Sequence, residues 1–453
     1  MSKKNIHSLT TTQHSIFDAI QSANIPLIKQ LLSNPNIDLT VQTTAPLCIT
    51  GQQVMSNTKL TPFSALCVLY RCYPDKSIET LEALKQISDI FSSKNTYADL
   101  VDSQGCTEFM WAVWTKNLDL IKKAHDVIKK CNNNYDFNQQ DYGGRTALHV
   151  AVQNNVEKGI IEYLINDVKI NVDLQDSQEI TVLFQAALAL GNDLKLNPNT
   201  NLVDELLKDG ANPNIPCYGK LVLSALCEHM WRLRKGYLDT DNAYTKKKYV
   251  EDIKKYTPIV TKIIEKIIQS EKFIPAAKDT ATGFSAVHWV CELGKEAPTL
   301  LQKLKERGAN IDAGDVNGRP TLNWYSDYNI PSIVTELLKS KANVNTQADN
   351  GETAPHALLL NASKMNSTKE KLPTLKLLLD SNNEPPFDPF LEMQGATVQD
   401  CLNSIMKKTV DTKLKNDLEK CQELLEEYSD WYCREVMVEP LGAEFASLDI
   451  YQI

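Results

Sequence analysis

The 453-residue chain contains no apolar run approaching the roughly 18 residues that span a bilayer. Its opening Met1-Ser-Lys-Lys-Asn-Ile-His is polar and leads into no signal-peptide core, so a cytosolic chain with no membrane insertion is expected. The 11 cysteines are scattered, odd in number and include no Cys-x-x-Cys pair, which argues for reduced thiols and against a disulfide framework. Phosphate loops, Gly-x-Gly-x-x-Gly runs, His-Glu-x-x-His segments and kinase signatures are all absent, so no cofactor and no metal are expected. An excess of positive charge is lacking too: the net charge of -9 argues against generic nucleic-acid binding. That charge is unevenly placed. Residues 417–453 hold ten acids against Lys420 and Arg434, which leaves this segment at -8 and the other 416 residues at -1. With 42% hydrophobic and 23% charged residues, the composition is that of an ordinary soluble protein of two or three domains.

What the sequence does contain is a repeat. Asp141-Tyr-Gly-Gly-Arg-Thr146-Ala-Leu-His149-Val-Ala151 reads as a turn, a helix-starting threonine and an apolar helix, and Ile160-Ile161-x-x-Leu164-Ile165 supplies a second helical face. With the threonine as anchor, equivalents fall at Thr61, Thr107, Thr146, Thr181, Leu221, Ser285, Pro320, Thr353 and Thr397, with a shortest spacing of 33 residues. An aspartate stands five residues before four anchors, at Asp102, Asp141, Asp176 and Asp315. The second-helix pattern recurs at Leu27-Ile28-x-x-Leu31-Leu32, Leu202-Val203-x-x-Leu206-Leu207 and Ile333-Val334-x-x-Leu337-Leu338. Each such pair of short helices is too small to be stable alone, and stacking on neighbours supplies a continuous core.

These residues resemble ankyrin repeats over roughly residues 13–410. The Thr-Pro-Leu-His-x-Ala segment of that family appears as Thr61-Pro-Phe-Ser-Ala-Leu66, Thr146-Ala-Leu-His-Val-Ala151, Ser285-Ala-Val-His-Trp-Val290 and Thr353-Ala-Pro-His-Ala-Leu358. Its Gly-Ala-Asn signature appears as Gly210-Ala-Asn-Pro-Asn214 and Gly308-Ala-Asn-Ile-Asp312, and without the glycine as Lys341-Ala-Asn-Val-Asn345. The resemblance implies an all-α solenoid of helix-turn-helix repeats with β-hairpin turns, about nine to ten in number, several of them degenerate. The expected organisation is an N-terminal tail over 1–12, an array over 13–394 with a helical insertion at 232–270, and a last repeat, helical cap and acidic tail over 395–453. An exposed loop is expected near Gly236–Asn242, with a solvated basic face at Lys246-Lys247-Lys248 and Lys254-Lys255, and a second, polar insertion at Asn361–Lys371.

Most candidate chemistry is absorbed by the repeat. His149, His288 and His356 stand three residues after their anchors, where the family has a structural histidine, and Cys67, Cys227 and Cys291 fill a small packing slot six residues after theirs. Cys401, Cys421, Cys433 and Cys217 escape that explanation, but no histidine follows His356. A thiol enzyme would therefore need a composite site borrowing His356 or His229.

A binding surface remains as the leading expectation. In the resembling family, partner contacts fall at hairpin tips and on the exposed side of the first helix. Those slots correspond here to Cys106, Trp114 and Thr115; Arg145, Gln153 and Asn154; Lys220, Glu228 and His229; Phe284, Glu292 and Leu293; Arg319, Asp327 and Tyr328; and the tips Gln104, Tyr142 and Asn317. Trp114, Arg145, Arg319 and Tyr328 are the residue types favoured at interface hot spots. Trp111, Trp289 and Trp324 share a slot four after the anchor and are assigned to packing. The resemblance also makes Asn214 and Asn345, each eight residues after a leucine, candidates for asparaginyl hydroxylation, with a hydroxylase decoy as a weaker functional class. Overall the chain is similar to the ankyrin proteins that Legionella-like intracellular bacteria deliver into host cells. That similarity implies a monomeric interaction scaffold, binding a host or cellular protein and secreted into host cytosol, with the acidic C-terminus and its cluster Glu423, Glu426 and Glu427 as delivery signal or cap.

Overall fold

A computed structural model describes residues 16–43, 48–49, 52–53, 59–94, 101–188, 199–360, 370–380, 382–409 and 412–436. The expected tail over 1–12, most of the Asn361–Lys371 insertion and the last acidic stretch, 437–453, lie outside them. The fold is all-α and of the ankyrin-solenoid class, with helices paired in sequence order and joined by hairpin turns. It comprises two compact units, Met1–Tyr218 and Gly219–Ile453.

Each anchor begins a helix. Thr61, Thr107, Thr146 and Thr397 are N-caps whose hydroxyls accept the backbone N–H three residues on, satisfying a donor that the helix leaves orphaned. Thr181 makes the same bond to the Phe184 N–H at 3.2 Å. Leu221 and Pro320 occupy the N-cap with no side-chain bond.

The aspartates five residues before the anchors organise the hairpins. One carboxylate oxygen of Asp102 accepts the N–H groups of Gln104 and Cys106 at 2.8 and 2.9 Å. Asp141, Asp176 and Asp315 each repeat the arrangement with the residues two and four further on, the local side-chain bonding for which Asp is suited in turns. The chain then reverses through a left-handed residue, as at Gly144 with φ 73°. Successive hairpins are tied through their backbones: Tyr142 N–H donates to Gln104 O at 2.9 Å and Ser177 N–H to Gly143 O at 2.9 Å.

The three repeat histidines stitch neighbouring repeats. In His149, His288 and His356, Nδ1 accepts the N–H of the anchor residue, at 3.2, 3.3 and 3.4 Å. Nε2 reaches the carbonyl of Ile180, Arg319 and Ala396, at 3.1, 3.4 and 3.2 Å. Each of those carbonyls belongs to the residue just before the next anchor. Both ring nitrogens are thus engaged, and burial holds all three rings below their ordinary pKa, His288 down to about 4. The first helix of the 61 repeat has Ser64 in this slot. There the linking group comes from the following repeat: the Thr61 hydroxyl donates to Glu108 Oε1 at 2.5 Å.

The expected insertion has a different construction. Both helices of one repeat are lengthened, to Val222–Asp239 and Ala243–Gln269, and only residues 240–242 join them. Gly236 therefore lies inside a helix rather than in a loop, where the ring of Tyr249 passes so close that a Cβ would sit 2.6 Å from it. Tyr256, Val260, Ile263, Ile264, Ile267 and Ile268 bury the apolar stripe of the longer helix.

At the C-terminal end, the hairpin Glu392–Met393/Ala396–Thr397 leads into helix Val398–Lys408, and helix Thr412–Glu435 covers the last pair. Leu418, Cys421, Leu425 and Tyr428 face inward. The Asp417 carboxylate accepts the backbone N–H groups of Lys371 and Leu372 at 2.5 and 3.4 Å, capping helix Leu372–Leu378 from a distance. Among the described residues no helix is long and apolar enough to cross a membrane.

Candidate binding sites

In the N-terminal unit, Gln104, Cys106, Trp114, Arg145, Gln153 and Asn154 line one cleft of about 460 Å³ together with Asp102, Met110, Trp111 and Val150. Trp111 is the buried wall. Its indole N–H donates to the second Asp102 oxygen at 3.0 Å, and Trp114 meets it edge-on at 5.3 Å between ring centroids. Arg71, at the end of helix Pro62–Cys72, lies 4.2 Å over the Trp114 ring and donates from Nη1 to Trp114 O and Asn154 Oδ1, at 2.9 and 2.8 Å. Its other N–H donors make no bond among the described residues and remain for an incoming acceptor. Arg145 is held by the buried Asp141 carboxylate at 2.6 and 2.8 Å and reaches Gln153 at 3.4 Å. Arg71 is not among the sequence candidates, because it stands ten residues after its anchor and the slots taken from the resemblance reach only seven to eight residues after theirs. Tyr142 stands at the hairpin tip, 76% exposed. Thr115 is buried and bonds to Ala112 O, so it offers nothing to the surface.

The C-terminal unit gathers a second group. Phe284, Glu292 and Tyr328 surround a small void with His288, Trp289, Trp324 and Tyr325. Trp289 and Trp324 donate to Asp279 and Asp315 at 2.8 and 3.1 Å, the same lock that holds Trp111. Arg319 bonds to Glu352 at 2.6 Å and Asp327 at 3.3 Å, with its guanidinium 4.4 Å over Trp324. Asp327 is only 2% exposed, so it acts beneath the surface by positioning Arg319. Leu293 is fully buried. Glu228 pairs with Lys220 and Arg232, and His229 sits edge-on to Tyr256 of the lengthened helix, away from the aromatic group's lining. The exposed edge of Asn317's hairpin carries Val316 at 59% exposure.

Asn345 is a hairpin tie: its amide donates to Pro386 O at 2.8 Å and accepts the Asp388 N–H at 2.7 Å. Asn214 bonds to Asn212 Oδ1 at 2.7 Å. Several buried thiols are poor nucleophiles. Burial pushes Cys106 and Cys421 up to about 12 and Cys401 above its ordinary value, which removes thiolate at neutral pH. Among the described residues no three His, Cys, Asp or Glu side chains gather to hold a metal.

The comparisons follow the same line. A family profile described as ankyrin repeats (three copies) matches residues 109–217. The ankyrin repeat domain of Bcl-3, a member of the IkappaB protein family, is 19% identical, with 70% of this chain and all of that one covered at a TM-score of 0.38. The ankyrin repeat protein EF0377 is 16% identical, with 47% and 89% covered at a TM-score of 0.32. No curated protein matches the chain. Residues 109–217 are therefore ankyrin repeats, and the caps, aspartate turns and histidine stitches extend the same unit to other parts of both compact units.

Proposed function

We propose that the chain is a protein-interaction scaffold whose N-terminal cleft seats a segment of a partner protein. Ankyrin repeats generally mediate protein–protein contacts, and stacked repeats present extended binding surfaces. The observation that carries the reading is the Arg71–Trp114 stack at the edge of a 460 Å³ cleft. An aromatic face and an arginine with unused donors sit where an extended polypeptide could bury a side chain and have a carbonyl or carboxylate bound. The fixed positions of Trp111 and Arg145 lower the ordering cost of binding. The partner we propose is a host protein, and the chain a monomeric effector delivered into host cytosol. Support for that finer reading comes from the sequence resemblance and the acidic C-terminus. A composite site pairing Cys401 or Cys421 with His356 draws no support, since His356 is bonded through both nitrogens and burial pushes both thiols up.

The test is affinity capture from host cytosol with the wild-type chain, Trp114→Ala and Gln153→Arg. Gln153 is exposed on helix Ala147–Gln153, so its replacement leaves the fold intact while placing a large cation in the cleft. At least one captured protein should be lost with both variants at unchanged thermal stability. An identical captured set would sink the cleft assignment.

A further inference from the structure

The two lengthened helices carry charge opposite in sign to the rest of the chain. Over 222–269, ten lysines and arginines stand against six acids, a net of +4 within a total of -9. The buried residues of helix Ala243–Gln269 all fall from Tyr256 onward, and none of the described residues from Trp231 to Lys255 is buried, so this end of the helix pair projects from the packed stack. Along the longer helix Lys247, Lys248, Lys254, Lys255 and Lys262 recur at seven-residue spacing on the side away from the buried stripe, and all five are exposed. At the helical rise they extend over about 22 Å. Glu251 is the one exposed acid among them. Lysines on other second helices are neutralised by the adjacent repeat, as Lys29 is by Glu82, Lys123 by Asp89 and Lys303 by Glu265. By contrast, Lys247, Lys248, Lys254 and Lys262 have no carboxylate partner among the described residues.

We propose that this lysine face docks on the surface of an anionic phospholipid bilayer, held by charge and without apolar insertion. The residue type selects the partner. A lysine ammonium is a hydrated point charge on a flexible stem, suited to a diffuse and fluid array of phosphates, whereas a fixed carboxylate or phosphate is better gripped by the arginine fork. The exposed stripe has no Arg, Asn or Gln with which to set a register on a nucleic acid or read base edges. Tyr244, 80% exposed, stands in line with the lysines at the start of the helix, and a tyrosine ring suits the headgroup region. The apolar stripe is already buried in the array, so no hydrophobic face remains to enter the bilayer. The negative total charge does not forbid the contact. Screening limits each charge to about 8 Å at physiological salt, so a surface against this face responds to the lysines and not to distant acids.

This inference goes beyond the interaction reading and concerns a different surface, so its failure leaves the N-terminal cleft untouched. The full chain is mixed with vesicles of phosphatidylcholine alone, or with phosphatidylserine as about a third of the lipid, and the bound fraction is measured by flotation. It should float with the anionic vesicles only, and raising the salt to about 0.5 M should release it. Lys247→Gln/Lys248→Gln should lose at least tenfold in affinity, and the further changes Lys254→Gln and Lys262→Gln should bring the loss to at least a hundredfold. Glutamine is a good helix former, so the melting temperature should not move. Lys407→Gln/Lys408→Gln alters the net charge of the chain equally at exposed positions of another helix, and should bind as wild type does. Polyglutamate and a short DNA duplex are titrated in parallel. Binding to both vesicle types alike, no binding to either, equal losses in the two double variants, or tighter binding to polyglutamate or the duplex than to the anionic vesicles overturns the proposal.

Discussion

Glu108 and His288 are buried ionisable residues that their surroundings push toward the same neutral state from opposite directions. Burial raises Glu108 to about 8, with the Thr61 hydroxyl opposing and Asp102 adding to the rise, and its Oε2 has no hydrogen-bond partner among the described residues. Burial lowers His288 to about 4. The consequences for stability differ in sign. A carboxyl group with a raised folded pKa contributes stability that is complete below its unfolded value of about 4.3 and is lost as pH rises through 8. A histidine with a lowered folded pKa contributes stability that is complete above about 6.5 and is lost as pH falls toward 4. Acid therefore loosens the stitch at His288 while relieving the strain of ionising Glu108. The substitution Glu108→Gln keeps an acceptor for Thr61 and removes the ionisation. Denaturant unfolding should show the variant close to wild type at pH 5 and more stable at pH 8, by about 2–4 kcal/mol. A gap that does not widen with pH would mean Glu108 is not neutral in the fold.

The hairpin is the element on which the repeat depends, and its glycines separate two kinds of strain. Gly144 and Gly308 share a left-handed backbone, with φ of 73° and 82°. A Cβ on Gly144 would lie 2.3 Å from the Ser177 backbone nitrogen, whereas one on Gly308 meets nothing within 4 Å. Gly308→Ala should therefore cost about 1 kcal/mol, from the backbone conformation alone, and Gly144→Ala about 3 kcal/mol or more, because it also separates two stacked hairpins. Thermal unfolding of the two variants checks the difference, and equal losses would show that hairpin contact adds nothing. Much of this element was legible beforehand. Threonine anchors, aspartates at a fixed offset and the histidine slot are local chemistry, and spacing exposes them. Three features were not legible, because they depend on what crosses from elsewhere. Ser64 in the histidine slot gives no sign that Glu108 will supply the missing link. Gly236 reads as a loop signal and is instead the contact that lets Tyr249 pass. Trp289 and Trp324 sit in a packing slot and do pack, yet one indole has both an N–H and faces, and the sequence could not say that the N–H is anchored while the rings line a space with Phe284, Glu292 and Tyr328.

For the whole molecule, nearest-neighbour stacking means that stability is supplied locally and that an end must be covered. Helix Thr412–Glu435 provides the cover at the C-terminus: Asp417 caps helix Leu372–Leu378, Tyr428 donates to Phe387 O at 3.1 Å, and the helix buries Leu418 and Leu425. Lys371, 1% exposed, would meet water if it left. The acidic run is thereby divided. Glu423, Glu426 and Glu427 belong to the solvated side of this helix, whereas Glu439, Glu444 and Asp449 lie beyond residue 436. Cap and delivery signal can then be separated by two deletions. If the terminal segment is a delivery signal, removing 437–453 should abolish translocation into host cells. Removing 412–453 should raise exchange in residues 372–378 and 398–408, which lose their cover, and leave residues 107–165 as protected as before, because each repeat is supported by its immediate neighbours. Accelerated exchange over 107–165 would show coupling far beyond nearest neighbours, and undiminished delivery by the shorter deletion would confine the acidic segment to its role as a cap.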